Sequence, residues 1–200
     1  MTITFEKAHA ADHMQLTDLT FRSKRYCNYP DRYYEIWRDE LTITEDYISK
    51  NLVYTARTGG MILGYYAIVK ADEDYWAGRV FIHKGYWLEH NYIRPEYIGQ
   101  GIGTKLMEHA LEQCRKLGIP RLYFFADPHA ESFYRKFGAR FIAKADSSIE
   151  GRLLPLYELT VDQWSDYRLA EVPGTYHDEN LLTYPEIHAG AMDSHGSGRH

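Results

Sequence analysis

Two cysteines, Cys27 and Cys114, are all that 200 residues contain, and they form no CxxC pair. A disulfide framework or a cysteine-built metal site is therefore not expected, and a reducing cytoplasm is the natural compartment. Long apolar runs are also missing. None approaches the roughly 18 to 20 residues that a membrane span requires, so no membrane partner is expected. Met1-Thr2-Ile3-Thr4-Phe5-Glu6-Lys7 lacks the basic and apolar regions of a secretory leader. No excess of one charge marks the body of the chain: residues 1–161 carry 21 basic and 21 acidic side chains. The net charge of −5 arises in residues 162–200, where Arg168 and Arg199 face seven carboxylates. A basic surface that could track phosphates is not suggested, which argues against a nucleic-acid partner. No histidine pair with a carboxylate sits at helical metal-ligand spacing, so no metal is expected.

What is present reads as one compact unit, 44% hydrophobic and 26% charged. Ile3 and Phe5 alternate with polar residues as a first strand. A helix is expected over 10–26, broken by Tyr26-Cys27-Asn28-Tyr29-Pro30. Asp31 can cap a second helix running to Leu41, and Thr44 can start a short third one. Two strands, 52–56 and 61–69, flank Thr58-Gly59-Gly60 as a hairpin. Asp72 to Asp74 and Gly78 mark a loop, followed by strands at 80–83 and 86–93. Leu106, Met107, Ala110, Leu111, Cys114 and Leu117 then line one face of a helix that Gly118 ends. Leu122 to Ala126 is a buried-type strand. Asp127 as cap and Pro128 at the first helical position open another helix, with Ala130, Phe133, Tyr134 and Phe137 on its apolar face. Strands at 141–143 and 153–161 close the unit. This order argues for a mixed α/β sheet layered with helices over residues 1–161. Residues 162–200 read as an acidic, polar extension, partly disordered or docking.

Between the strand ending at Ile93 and the next helix, Gly99, Gly101 and Gly103 recur at every second position. Glycine lets backbone approach a ligand closely and adopt positive φ. The helix that follows offers free N–H groups and a positive dipole end, which suits a pyrophosphate; a plain tight turn is the alternative. A dinucleotide fingerprint would need glycine where Thr104 stands, and Gly103-Thr104-Lys105 does not complete a P-loop.

The run Pro95 to Leu106 resembles the acetyl-CoA signature of the GNAT acetyltransferases, Arg/Gln-x-x-Gly-x-Gly/Ala, with Gly101 and Gly103 at its two small positions. Ile98 stands where the family usually has Arg or Gln, which removes one side-chain contact but keeps the backbone cradle. Asp127 to Ala139 is similar to the family's second signature, an Asn or Asp followed seven residues later by Tyr and then by Gly. The resemblance covers roughly residues 3–161. It implies a mainly antiparallel central sheet of about six to seven strands flanked by helices, the acyl-CoA N-acyltransferase fold.

The resemblance also implies an enzyme using acetyl-CoA as cosubstrate and a small-molecule primary amine as acceptor, by direct attack in a ternary complex. A non-catalytic acyl-CoA sensor and a protein or peptide N-acetyltransferase are the alternatives, and homodimer formation is left open. By analogy, Asn91, Tyr92 and Ile93 would meet the pantetheine arm. Gly99, Gln100, Gly101, Ile102, Gly103 and Thr104 would wrap the pyrophosphate, with Asp127 beside them. Tyr134 would protonate the leaving thiolate; a core tyrosine is the plainer reading. Glu89 would be the base, with His90 its competitor. Strand alternation puts Glu89 on one face with Trp87 and Asn91, and His90 on the other. Tyr26, Tyr29, Tyr33, Tyr34 and Trp37 form an aromatic group that either holds a cationic amine or packs an amphipathic helix.

Overall fold

A computed structural model describes residues 2–162. The extension, apart from Asp162, lies outside the described residues, and so does its expected disorder or docking. In chain order the elements are β1 (Thr4–Lys7), α1 (His13–Arg25), α2 (Asp31–Ile36), α3 (Arg38–Leu41), α4 (Glu45–Lys50), β2 (Leu52–Thr58) and β3 (Met61–Ala71). They continue as β4 (Tyr75–Ala77), β5 (Val80–Ile82), β6 (Gly85–Ile93), α5 (Ile102–Lys116), β7 (Arg121–Phe125), α6 (Glu131–Arg135), β8 (Arg140–Asp146) and β9 (Leu153–Thr160).

Seven strands form one sheet in the order β1-β2-β3-β6-β7-β9-β8. Every neighbouring pair is antiparallel except β6–β7. A parallel pair needs a crossover, and α5 supplies it. α5 buries Leu106, Met107, Ala110 and Leu111 against Tyr66, Phe124 and Tyr157 of the sheet. Leu16 and Leu19 of α1 cover the opposite face, with Ile43, Ile48, Val53 and Tyr65. Each fully buried Leu or Ile contributes about 1.5–3 kcal/mol, so the two layers hold the sheet from both sides.

Several local expectations change. Asp31 does not cap: Pro30 holds the cap position, and Asp31 sits in the first turn, 3.5 Å from Arg25. The helix expected to reach Leu41 divides at Trp37, whose side chain is buried with Tyr34 and Leu41. Thr44 does cap, accepting from Tyr47 N–H at 3.0 Å. Tyr75–Ala77 pairs with Val80–Ile82 as a separate hairpin. Its acidic approach, Asp72 to Asp74, hid the first of these strands. Leu117 is 53% exposed, because Gly118 (φ 68°) turns the chain before another helical turn can bury it.

Candidate active site

β6 and β7 pair only at Tyr86–Leu122 and Trp87–Tyr123. Beyond Trp87 the two strands part, and the gap becomes the floor of the site. On β6, Ala67 of β3 pairs with His90 while Ile68 pairs with Leu88, so Glu89 is an extra residue in a β-bulge. The bulge overturns the expected faces. Trp87 and His90 share the face of Val69 and Ala67, whereas Leu88 and Asn91 share that of Ile68 and Tyr66. Glu89 belongs to neither row.

Two clefts meet there. One, of about 350 Å³, is lined by Asn91, Ile93, Gly103, Phe133 and Tyr134. The other, of about 460 Å³, runs between Trp37–Thr42, the β4–β5 hairpin and the 147–152 turn. Lys24, Glu89, Tyr92, Phe125 and Asp127 line both, so a group bound in either cleft reaches the same junction.

The glycine turn closes the first cleft. Gly99 and Gly101 have φ of 82° and 77°, and a Cβ on either would meet nothing within 4 Å, which leaves open space above the turn. Gly101 offers no side-chain cap to α5. Lys105 N–H makes the bond back to Gly101 O, so the N–H groups ahead of it point out of the helix end. Gly103 serves a different purpose: its φ is not positive, and a Cβ there would come 2.9 Å from Ile93 Cδ1. Ile102 is 1% exposed and can offer only backbone, while the Gln100 amide is bonded to Glu96 O at 3.1 Å. Ile98, the departure from the signature, is exposed on the cleft wall.

Tyr134 lies in the first cleft with its ring 4.5 Å from Phe124 and 5.1 Å from Phe133. Burial pushes its phenol above the ordinary tyrosine range; a hydrogen bond from Asn91 opposes that, and Tyr92 and Asp127 add to it. The hydroxyl is therefore protonated at neutral pH, the form an acid needs. Glu89 is half exposed and accepts from Tyr47 Oη at 2.5 Å. His90 is 5% exposed, with Nε2 3.7 Å from Glu89. Burial lowers its pKa and Glu89 only partly opposes this, so the ring is neutral. Its Nδ1 and the Asn91 Oδ1 are buried without partners among the described residues.

Asp127 is more than a helix cap. Its carboxylate accepts from His129 N–H at 3.1 Å, His129 Nδ1 at 2.9 Å, Tyr29 Oη at 2.8 Å and Lys24 Nζ at 2.8 Å. Burial raises its pKa, but Lys24 and these hydrogen bonds outweigh burial and hold it well below the carboxylate range. Tyr29 is pushed up to about 12 by burial and by Asp127. The aromatic group beside it is already in use: Lys24 Nζ lies 4.9 Å from the Trp37 ring centroid, and the Arg152 guanidinium 5.1 Å from that of Tyr29. Lys24, Tyr47 and Arg152 carried no signal in the sequence, since only the fold brings α1, α4 and the 147–152 turn to this junction. Cys27, Asp127 and His129 also bring ligand-type atoms within 4.8 Å of one another. The Lys24 ammonium on the same carboxylate opposes a cation there.

These features fit acetyl-CoA: a helix end with free N–H groups, open space over the glycine turn, and a buried carbonyl lacking a donor. Comparisons with known proteins agree. The family model described as Acetyltransferase (GNAT) family matches residues 14–139. An uncharacterized N-acetyltransferase, ycf52-like, of Prochlorococcus marinus is 44% identical over 46 residues, 23% of this chain. The match spans only 26% of that relative's length. The peptidyl-lysine N-acetyltransferase YjaB of Salmonella typhimurium is 26% identical over 129 residues, 62% of this chain and 86% of YjaB. Among solved structures, the PaiA N-acetyltransferase of Thermoplasma acidophilum in complex with coenzyme A superimposes with a TM-score of 0.62. It is 20% identical, over 80% of this chain and 99% of that one, a likeness of fold.

Proposed function

The chain belongs to the GNAT acetyltransferase family, and we propose that it moves the acetyl group of acetyl-CoA to a primary amine of a small molecule. The thioester supplies an acyl group that a neutral amine attacks directly. The observation that carries this reading is the junction of the two clefts, where Glu89 meets both and Tyr134 stands on the cofactor side. Glu89 takes a proton from the incoming ammonium, with Tyr47 holding the carboxylate in place. Tyr134 returns a proton to the departing sulfur. Backbone groups of β6 beyond Trp87, unpaired with β7, receive the pantetheine arm and steady the developing oxyanion. The open end of α5 and Gly99 to Thr104 hold the pyrophosphate.

A small acceptor is favoured over a polypeptide because the second cleft is walled by the β4–β5 hairpin and the 147–152 turn. YjaB acts on peptidyl lysine, so peptides belong in the test. Free-thiol release from acetyl-CoA is to be measured with amines, aminoglycosides and lysine peptides. Turnover with amines but not peptides is expected; peptide-only turnover would reverse the acceptor assignment, and none at all would favour a sensor. With the best acceptor, Tyr134→Phe and Glu89→Gln should each lower kcat by about 10²-fold or more. A full rate in Tyr134→Phe with a loss of about 1 kcal/mol in stability would make Tyr134 a packing residue.

A further inference from the structure

α1 ends at Arg25, and Asn28, with φ 54°, turns the chain back. Cys27 lies in that turn. Lys24 before it and Tyr29 after it both bind the Asp127 carboxylate at 2.8 Å, which fastens the turn to the start of the second-signature helix. The result is a grouping that no spacing in the sequence shows. Cys27 Sγ, an Asp127 carboxylate oxygen and a His129 ring nitrogen lie within 4.8 Å of one another. All three residues line the first cleft, together with Glu89 and Tyr134. Asp127 lines the second cleft as well, so the thiol stands beside the junction where thioester and amine meet. Cys27 is partly exposed, whereas Cys114, the other cysteine, is sealed in the core.

A thiol, an imidazole and a carboxylate in one cluster are the parts of an activated nucleophile. His129 Nδ1 lies 2.9 Å from Asp127 Oδ1. With Nδ1–H given to the carboxylate, the neutral ring keeps its acceptor at Nε2, the tautomer a base requires. We infer that Cys27, with His129 as its base, is a second acetyl acceptor of the site, forming a thioester from bound acetyl-CoA when no amine occupies the junction. The inference rests on the reading of the first cleft as the acetyl-CoA site. In this step the bond from Cys27 Sγ to the acetyl carbon forms, and the bond from that carbon to the coenzyme sulfur breaks. The thiol proton passes by way of His129 to the coenzyme sulfur, and nothing is oxidised. Holding both sulfurs in one cleft replaces a bimolecular encounter, which offsets the weak nucleophilicity of a neutral thiol. Burial and Asp127 hold that thiol above its ordinary value against Lys24 and Arg152, so the step is slow beside amine transfer and faster at alkaline pH. One alkyl thioester replaces another, so the exchange runs both ways. The acetylated fraction then follows the ratio of acetyl-CoA to coenzyme A.

The test incubates the protein with acetyl-CoA and no amine at about pH 8, where more of the thiol is ionised, and follows it by intact and peptide mass spectrometry. One acetyl group on the peptide that carries Cys27 is expected. Neutral hydroxylamine should remove it, as it does a thioester, and excess coenzyme A should remove it with return of acetyl-CoA. Cys27→Ala should take up none, and His129→Gln should slow the labelling about tenfold or more. S-acetyl-N-acetylcysteamine, a thioester without the nucleotide, should label far more slowly at the same concentration. Labelling that survives in Cys27→Ala, or acetyl groups found only on lysines, overturns the inference alone. So does a wild-type labelling rate in His129→Gln, or equal labelling by S-acetyl-N-acetylcysteamine. An unlabelled protein that still binds coenzyme A in calorimetry overturns it too. A protein that binds no coenzyme A overturns the cofactor reading and this inference together.

Discussion

At Asp127, Lys24, Tyr29 and His129 converge on one carboxylate, joining α1, the 26–30 loop and the start of the second-signature helix. The Lys24 and Asp127 side chains are 12% and 18% exposed, so this ion pair is screened far less than one on the surface. The folded-state pKa of Asp127 lies below its ordinary 3.8, so the ionised carboxylate stabilises the fold. That contribution is complete above about pH 3.8 and is lost as pH falls through the folded value. Asp127→Asn strands the Lys24 ammonium in a half-dry site and should cost about 3 kcal/mol at neutral pH, measured by urea unfolding. The acid limb of stability should flatten with it. Wild-type stability in the variant would reduce the pair to the worth of a surface salt bridge. This cluster also explains why the aromatic group was readable in two ways. Tyr29 and Trp37 do bind cations, but those of the chain itself, Lys24 and Arg152.

At the scale of elements, one inserted residue in β6 and one uncapped helix end shape the site. The bulge ejects Glu89 from the ladder and puts His90 on the face of Trp87 and Asn91 on that of Leu88, an outcome that strict alternation cannot produce. The α5 N-terminus is left uncapped by Gly101, whose φ of 77° suits glycine and, less well, Asn or Asp. That tolerance offers a clean measurement of the anion site. Gly101→Asn and Gly101→Asp add nearly the same atoms in the same open space and differ by one charge. If the helix end holds the pyrophosphate, the Asp variant should bind coenzyme A about tenfold more weakly than the Asn variant, and the gap should narrow in high salt. Equal affinities in calorimetry would place the phosphates elsewhere. Gly103 is a poorer probe, because its side-chain direction is filled by Ile93 and a substitution there disturbs the packing of α5 on β6.

Across the whole molecule, a histidine is lodged beside each face of the sheet. His90 packs among Tyr47, Tyr65 and Tyr92 on the α1 side. His109 of α5 stacks on Phe5 with a ring separation of 4.7 Å and bonds Tyr66 Oη at 3.0 Å. Burial lowers both pKa values below 6.5, with nearby carboxylates only partly compensating. Folded, they stay neutral; unfolded, they take up protons as pH drops through about 6.5. The unfolded state then binds more protons, so stability falls as pH goes below that point towards the folded values. Denaturant unfolding at a series of pH values should show the decline, and His90→Gln or His109→Gln should each make it shallower. A profile that keeps its slope in both variants would trace the decline to other groups.

How far the chain could be read in advance follows from the range of the forces involved. Hydrophobic periodicity, glycine at turns, and Asp127-Pro128 at a helix start are local, and they located β2, β3, β6, α5, β7 and the two signatures within a residue or two. The mixed sheet followed from that order, because a crossover helix between β6 and β7 leaves few topologies, and the family from the resemblance of the two signatures. The fate of particular side chains was decided in three dimensions. Whether Glu89 stands in a bulge depends on its register against β3, and whether Tyr29 and Trp37 are free depends on Lys24 and Arg152, distant in sequence. A row of residues dictates where strands and helices begin through steric and solvation preferences that act over a few bonds. Which polar groups meet, and which buried atoms such as Asn91 Oδ1 find no partner among the described residues, is settled only when elements distant in sequence close on one another.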